Sequence, residues 1–321
     1  MNSLPEPLSK EDLKEAVLSP LQKRTPYADG LLFEKSSIML SADPGTGKSI
    51  LALQATCQLA SGLPLFGSLL VPNPIKVYYI QKERPQLEVL ERLKILNESI
   101  KINWDNLIVD SLLQILNLSD LKYCDLIASR IAKHEPKLIV IDPIGAGLGG
   151  LSKDEIANNF CTMLTFIQSR IGNTYWLNHH TTKQQYTQTG EKIDKEKPFY
   201  GSQWLDAFVT GHYHITGNDN GTNWRKTKDN YGLLLSRFSL EYEPDTNLSY
   251  LKLDNMLAKD KIINYINSIK SHKKSFKFSE LAQVTGCAIR TLRHTLTDPI
   301  FKTLLKSSKA IGEATLYEII C

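Results

Sequence analysis

No Cys-x-x-C pair occurs in this 321-residue chain, and its five cysteines (Cys57, Cys124, Cys161, Cys287, Cys321) stand far apart. That spacing suggests neither a zinc site nor a disulfide framework, and scattered thiols fit a reducing compartment. No apolar run approaches the ~18 residues of a membrane span. The longest, Leu138 to Leu151, is broken by Asp142, Pro143 and four glycines. The opening Met-Asn-Ser-Leu-Pro-Glu-Pro has no basic region followed by an apolar one, so no signal peptide is expected and the protein reads as cytoplasmic, away from any membrane. Internal repeats and low-complexity tracts are missing too. Charge is nearly balanced, with a net +4 and 22% charged residues, which permits nucleic-acid binding without demanding it. Hydrophobic residues make up 42%, enough for a packed core, and the length sets a prior of about two domains.

Against these absences one stretch stands out. Ala42-Asp43-Pro44-Gly45-Thr46-Gly47-Lys48-Ser49 reads A-x-x-x-x-G-K-S, a nucleotide-phosphate loop with alanine at its first position. Gly45 and Gly47 let the backbone curl so that its N–H groups face phosphate oxygens. The loop feeds a helix N-terminus at Ile50, whose free N–H groups and dipole favour an anion. Lys48 reaches the β- and γ-phosphates and the Ser49 hydroxyl ligates Mg²⁺. The flanks agree, because Ile38–Ala42 is a short apolar run and Ile50–Ala60 is helix-forming until Gly62 and Pro64.

From residue 31 strands and helices alternate. Strands are expected at Ser37–Ser41, Lys76–Ile80, Leu107–Asp110, Lys137–Ile141 and Thr174–Asn178. Helices are expected at Ile50–Ser61, Gln86–Glu98, Ser119–Lys133 and Lys153–Ile171. This order predicts an α/β fold with a mostly parallel sheet. Beyond Phe208 the pattern becomes antiparallel, over Phe208–Thr216, Asn223–Lys226, Gly232–Tyr242 and Ser249–Leu253, with a hairpin turn at Asn218–Gly221. Residues 1–30 read as an arm with a short helix behind the capping box Ser9-Lys-Glu-Asp12, residues 31–254 as the ATPase core and residues 258–321 as a small C-terminal domain.

Three strand ends add chemistry. Lys137-Leu-Ile-Val-Ile-Asp142 is a buried strand closing on a carboxylate at the sheet edge where such folds bind ligands, so Asp142 is the candidate to orient Mg²⁺. Val77-Tyr-Tyr-Ile-Gln-Lys-Glu83 puts Glu83 on the same edge, positioned to take a proton from an attacking water. Spacing alone leaves a solvated loop glutamate equally open. The strand before Lys183 ends in His179 and His180, and a neutral ring there can hydrogen-bond a γ-phosphate; His180 is favoured over His179.

The sequence from Asp29-Gly through the phosphate loop and Leu-Ala-Ser-Gly-Leu-Pro-Leu-Phe-Gly to Glu83, followed by Ile-Asp142-Pro, His179-His-Thr-Thr-Lys183 and Gly201-Ser-Gln-Trp, resembles RecA-fold ATPases of the plasmid RepA type, hexameric replicative helicases related to the DnaB class. The resemblance covers about residues 24 to 253. It implies a ring, ATP and Mg²⁺ bound between subunits, Glu83 as catalytic carboxylate and the histidines as γ-phosphate sensor. It also implies a basic finger in a Lys-x-Arg arrangement that reaches the neighbouring nucleotide. Here the sequence departs: Lys228-Asp-Asn230 has asparagine where arginine is expected, so the finger is Lys228, or Arg225 or Arg237 displaced, or it is weak.

Two loops would line a ring's channel, Gly145–Lys153 and Thr181–Tyr200. The second carries Lys183, Lys192, Lys195 and Lys197 against Glu191, Asp194 and Glu196, a weak footprint for single-stranded DNA that a solvated loop explains equally well. The last segment reads helix, short strand, helix, Gly286 turn, helix and terminal hairpin, which resembles a winged helix-turn-helix with Arg290 and Arg293 on its second motif helix, suited to duplex DNA or else to protein contact. The expected function is an ATP-dependent DNA helicase or translocase acting as a ring in replication. The rivals are a DNA-binding recombinase- or regulator-type ATPase switch that does not unwind, and a nucleotide-binding ring or adaptor that does not hydrolyse.

Overall fold

The structure, a computed structural model, describes residues 9–18, 24–111, 116–145, 154–181, 203–252, 256–269, 273–307 and 315–320. In chain order come helix α1 (Lys10–Leu18), strands β1 (Pro26–Ala28), β2 (Leu32–Phe33) and β3 (Ser37–Ala42), α2 (Lys48–Ser61), β4 (Val77–Gln81), α3 (Gln86–Ile100) and β5 (Leu107–Asp110). Next are α4 (Cys124–Ala132), β6 (Leu138–Asp142), α5 (Asp154–Ile171), β7 (Thr174–His180), α6 (Gln203–Phe208), β8 (Gly211–Asn218), β9 (Gly221–Asp229), β10 (Arg237–Glu243) and β11 (Leu248–Lys252). The chain closes with α7 (Ala258–Ile269), β12 (Ser275–Lys277), α8 (Phe278–Thr285), α9 (Ile289–Thr295), α10 (Pro299–Leu304), β13 (Leu305–Ser307) and β14 (Leu316–Ile319).

The core is a nine-stranded sheet in the order β11-β10-β9-β8-β3-β7-β6-β4-β5. From β5 to β8 all pairings are parallel, and β9, β10 and β11 extend the sheet antiparallel. Strand β7 lies between β3 and β6, so the histidine strand separates the phosphate-loop strand from the Asp142 strand. β3, β4 and β6 are buried at every position, as strands covered on both faces must be. One face packs Ile38, Leu40, Val77 and Tyr79 against α2 and α3; the other packs Met39, Tyr78, Ile139 and Ile141 against α4 and α5. Helix α2 is buried without interruption from Leu51 to Ala60. Such a helix has no solvent face, which explains its nearly uniform apolar and small residues.

The structure departs from the sequence expectations where side chains capture backbone. The helix expected over Ser119–Lys133 starts as a 3-10 turn at Leu121–Tyr123, because the Asp120 carboxylate accepts the Lys122 N–H, and α4 runs only from Cys124. The strand expected from Phe208 is preceded by α6, whose Leu205 and Phe208, three apart, face the same core as α5. The strand expected from Gly232 begins at Arg237. Before it, Asp229 accepts the N–H groups of Tyr231 (3.2 Å), Leu233 (3.3 Å) and Leu234 (3.0 Å) and holds a loop. Tyr27 and Ala28, inside the stretch read as an arm, are buried in the main core. Ser9 and Asp12 form the expected capping box, with both N–H bonds at 3.0 Å.

The C-terminal elements have their own core, built on Ile262, Ile266, Phe276, Phe278, Leu281, Leu292 and Phe301, and a three-stranded sheet β12-β14-β13. Asp260 joins them to the main sheet by accepting the Ser236 N–H at 2.9 Å.

Candidate active site

Strand β3 delivers the chain to Ala42, and the phosphate loop follows. Gly45 (φ 82°) and Gly47 (φ 88°) adopt left-handed backbone, and a Cβ at either would meet nothing within 4 Å. Glycine is therefore required there by conformation rather than by space. Gly47 caps the N-terminus of α2. Lys48 is buried, and its Nζ donates to the carbonyls of Ala42 (2.7 Å) and Asp43 (3.0 Å), so the ammonium lies across the loop. Burial pushes its pKa down, opposed by Asp142, Asp43 and Glu83. An anion arriving here finds a desolvated cation and the N–H groups of a helix start.

Asp142 ends β6 beside this loop, and its carboxylate accepts from three side-chain donors. Ser49 Oγ donates to Oδ1 at 3.0 Å, Asn178 Nδ2 donates to Oδ1 at 2.8 Å, and the Tyr79 hydroxyl donates to Oδ2. Burial, and then the Asp142 charge, push the Tyr79 pKa well above its ordinary value, so Tyr79 stays a donor. Asn178 is held in turn by Trp176 Nε1 (3.1 Å) and reaches the Lys48 carbonyl (3.4 Å). Strand β7 thus ties the Asp142 carboxylate to the phosphate-loop helix. Tyr79 and Asn178 were missed by the sequence reading, although an asparagine inside the run Thr174-Tyr-Trp-Leu-Asn178 was a signal, since a buried amide needs partners.

Glu83, just past β4, is half-exposed, and its Oε2 lies 3.9 Å from His180 Nε2. Burial, then Lys48, lowers the His180 pKa, with Glu83 and Asp142 opposing, which favours the neutral ring. His179 points to the opposite face of the strand, is buried, and is pushed down to about 3 chiefly by desolvation. Thr181 Oγ1 donates to Asp43, fastening the end of the histidine strand to the phosphate loop. A cleft of about 290 Å³ brings together Pro44, Gly45, Gly47, Lys48, Ser49, Ile50, Glu83, Asp142 and His180. Arg84 and Arg92, which the sequence reading did not single out, complete its wall. The site oxygens, Ser49 Oγ and the Asp142 carboxylate 3.0 Å apart, are the hard donors Mg²⁺ takes, so the residues fit a magnesium nucleotide.

The remaining predicted residues are not in this cleft. Lys228 on β9 donates to the Asp206 carbonyl. Arg225 and Arg237 are exposed and sit opposite each other in the β9–β10 register. Arg290 and Arg293 are exposed on α9, with the Arg293 guanidinium 5.8 Å from the Phe278 ring centre. Lys183 lies outside the described residues, as do most of both expected channel loops.

A phosphate loop, a strand-end aspartate one strand removed from it and a glutamate on the next strand define a P-loop ATPase of the RecA-like class. The chain belongs to the AAA domain family, whose pattern matches residues 5–186. Among solved structures it is similar to a KaiC-like protein from the hyperthermophilic archaeon Pyrococcus horikoshii OT3, at 14% identity over 72% of this chain and 99% of that one, with a TM-score of 0.48. No curated protein matches the chain. Among the described residues no helix is long and apolar enough to cross a membrane.

Proposed function

We propose that this ATPase moves along single-stranded DNA as a ring, hydrolysing ATP with Mg²⁺ between neighbouring subunits, as a helicase or translocase. In this reading Lys48 and the loop N–H groups hold the β- and γ-phosphates, and Ser49 with Asp142 holds the metal. Glu83 takes the proton of the attacking water and His180 reports the loss of the γ-phosphate. The observation that carries the reading is the position of His180. It lines the nucleotide cleft 3.9 Å from Glu83 and stands three residues before Lys183, at the root of the segment expected to touch DNA. Hydrolysis and strand contact would then be coupled through a few residues of one strand end.

The C-terminal elements support a winged helix-turn-helix reading, with α8 and α9 as the motif and β13 and β14 as the wing. Arg290 and Arg293 are exposed on α9, where a recognition helix would present cations to a duplex. In the full chain, Arg290→Ala with Arg293→Ala would weaken duplex binding and flatten its salt dependence.

A second reading, a DNA-binding ATPase switch that does not unwind, is favoured by the finger candidates. Lys228, the first of them, is bonded to the Asp206 carbonyl of its own chain. A finger held within its own chain means slow turnover. Forked DNA with ATP and Mg²⁺ separates the two: strand separation supports the helicase, DNA-stimulated hydrolysis without separation supports the switch, and no hydrolysis contradicts both. Mixing Lys228→Ala, Arg225→Ala or Arg237→Ala chains into wild type should depress activity more than in proportion for whichever residue is the finger.

A further inference from the structure

We propose that Gln81 is a positioning residue for hydrolysis, holding the backbone of Glu83 so that its carboxylate faces the attacking water. The proposal rests on the reading of this cleft as a site of ATP hydrolysis with Glu83 as proton acceptor. Gln81 is the last residue of β4, a strand buried at every position, and only 2% of its surface is exposed. An amide in such a place is costly unless it is bonded. Among the described residues its side chain makes one hydrogen bond: Oε1 accepts the Glu83 N–H at 3.2 Å. The amide therefore serves the residue two places ahead.

The alternation of the strand explains how it gets there. Val77 and Tyr79 face the core that α2 and α3 close, and Gln81 follows them on that face. It pairs with Asp142 in the β4–β6 register, and Tyr79, two residues before it, donates to the Asp142 carboxylate. Lys82 turns the other way. Its Nζ donates to the Leu116 carbonyl at 2.8 Å, and its backbone N–H donates to the Asp142 carbonyl at 2.9 Å. Two successive N–H groups past the strand are thus held, one by Asp142 and one by Gln81. The turn into α3 starts from a fixed frame.

Glu83 needs that frame. Its carboxylate is half-exposed, stands 3.9 Å from His180 Nε2 and makes no hydrogen bond among the described residues. A side chain with no bond of its own is aimed by its backbone, and the N–H given to Gln81 is what fixes that backbone. An apolar residue of similar size would suit the end of a wholly buried strand better. A buried amide whose one contact is the Glu83 backbone breaks that local rule, which points to a role in the site.

The test uses the full chain with ATP and Mg²⁺. Gln81→Leu should lower kcat by about 10–10²-fold, the scale of a displacement of about 1 Å at the reacting centre, while KM changes little and the thermal unfolding temperature stays near wild type. Gln81→Met, unbranched and of similar length, should behave as Gln81→Leu does and guards against a packing fault. Gln81→Asn should recover most of kcat, since an asparagine oxygen reaches the N–H two residues on, as in an Asx turn. In a Glu83→Gln background, Gln81→Leu should cause no further loss in single-turnover phosphate release, because Gln81 acts only through Glu83. A kcat close to wild type in both Gln81→Leu and Gln81→Met overturns the proposal. So does an undiminished loss in the Glu83→Gln background, and so does a Gln81→Asn chain as slow as Gln81→Leu. If wild type itself releases no phosphate, the hydrolytic reading fails and takes this proposal with it. If wild type hydrolyses and Gln81→Leu does so at the same rate, only the proposal fails.

Discussion

The two halves of the nine-stranded sheet solve different problems. In the parallel half, β3, β4 and β6 are buried along their whole length, and at one edge the cleft takes Lys48 from the loop and helix after β3, Glu83 from just past β4 and Asp142 from the end of β6. In the antiparallel half, β9 alternates buried Thr222 and Trp224 with exposed Asn223, Arg225 and Thr227. Its strongest feature is a packed aromatic hub: the Trp224 ring stacks on Phe238 at 5.0 Å and meets Tyr213 (5.7 Å), Phe66 (5.8 Å) and Trp176 (6.5 Å). The comparison teaches that one half carries chemistry at its strand ends and the other carries packing in its strand middles. Trp176, on the histidine strand, belongs to both, because it touches the hub and donates to Asn178 beside Asp142.

That division can be broken by substitution. The largest effect is expected at a strand end: Glu83→Gln should bind ATP and lose about 10²–10⁴-fold in hydrolysis, with stability unchanged, since only the basic oxygen is lost. Turnover measured by phosphate release and binding measured with a fluorescent analogue separate the two quantities. Next is the hub. Trp224→Ala should cost about 3–5 kcal/mol of stability, read by urea unfolding, because a fully buried ring leaves a cavity. Asn178→Ala tests the link between the halves. It leaves Trp176 Nε1 without its partner and removes one donor from Asp142, so a loss of about 1–3 kcal/mol is expected together with slower hydrolysis. Normal hydrolysis in Asn178→Ala would show that Asp142 does not depend on β7.

A separate effect, absent at neutral pH, concerns acid. Burial pushes His179 down to about 3 and His212 down to about 4. Their folded pKa values lie below the unfolded value near 6.5, so below that pH the unfolded chain binds more protons and stability falls. The contribution is complete above about pH 6.5 and is lost as pH falls toward 4 and then 3. Unfolding curves at neutral and acid pH should show the loss. His212→Gln, which keeps a polar group near Ser41 Oγ, should reduce it.

Legibility followed the same division. Lys48 and Ser49 were readable from the A-x-x-x-x-G-K-S pattern, and Asp142, Glu83 and His180 because each stands at or just past the end of a buried strand, and in a parallel sheet such ends gather on one edge. The strand positions of that half were readable for the same reason: continuous apolar runs bounded by turns. Tyr79 and Asn178 were not, since their role depends on which face of a wholly buried strand they occupy, and apolar neighbours on both sides hide that register. Arg84 and Arg92 carried no motif signal; the packing of α3 against the sheet places Arg92 in the cleft wall. The start of β10 was misjudged because one side chain, Asp229, gathers three backbone N–H groups and postpones the strand.

The central claim is that the edge of the parallel half is a site of ATP hydrolysis organised by Lys48. It is tested most directly by phosphate release from ATP and Mg²⁺, comparing wild type with Lys48→Ala at equal folded concentration. The account predicts steady release by wild type and none above background for Lys48→Ala, with unfolding curves that superimpose. Release by Lys48→Ala at the wild-type rate would contradict it.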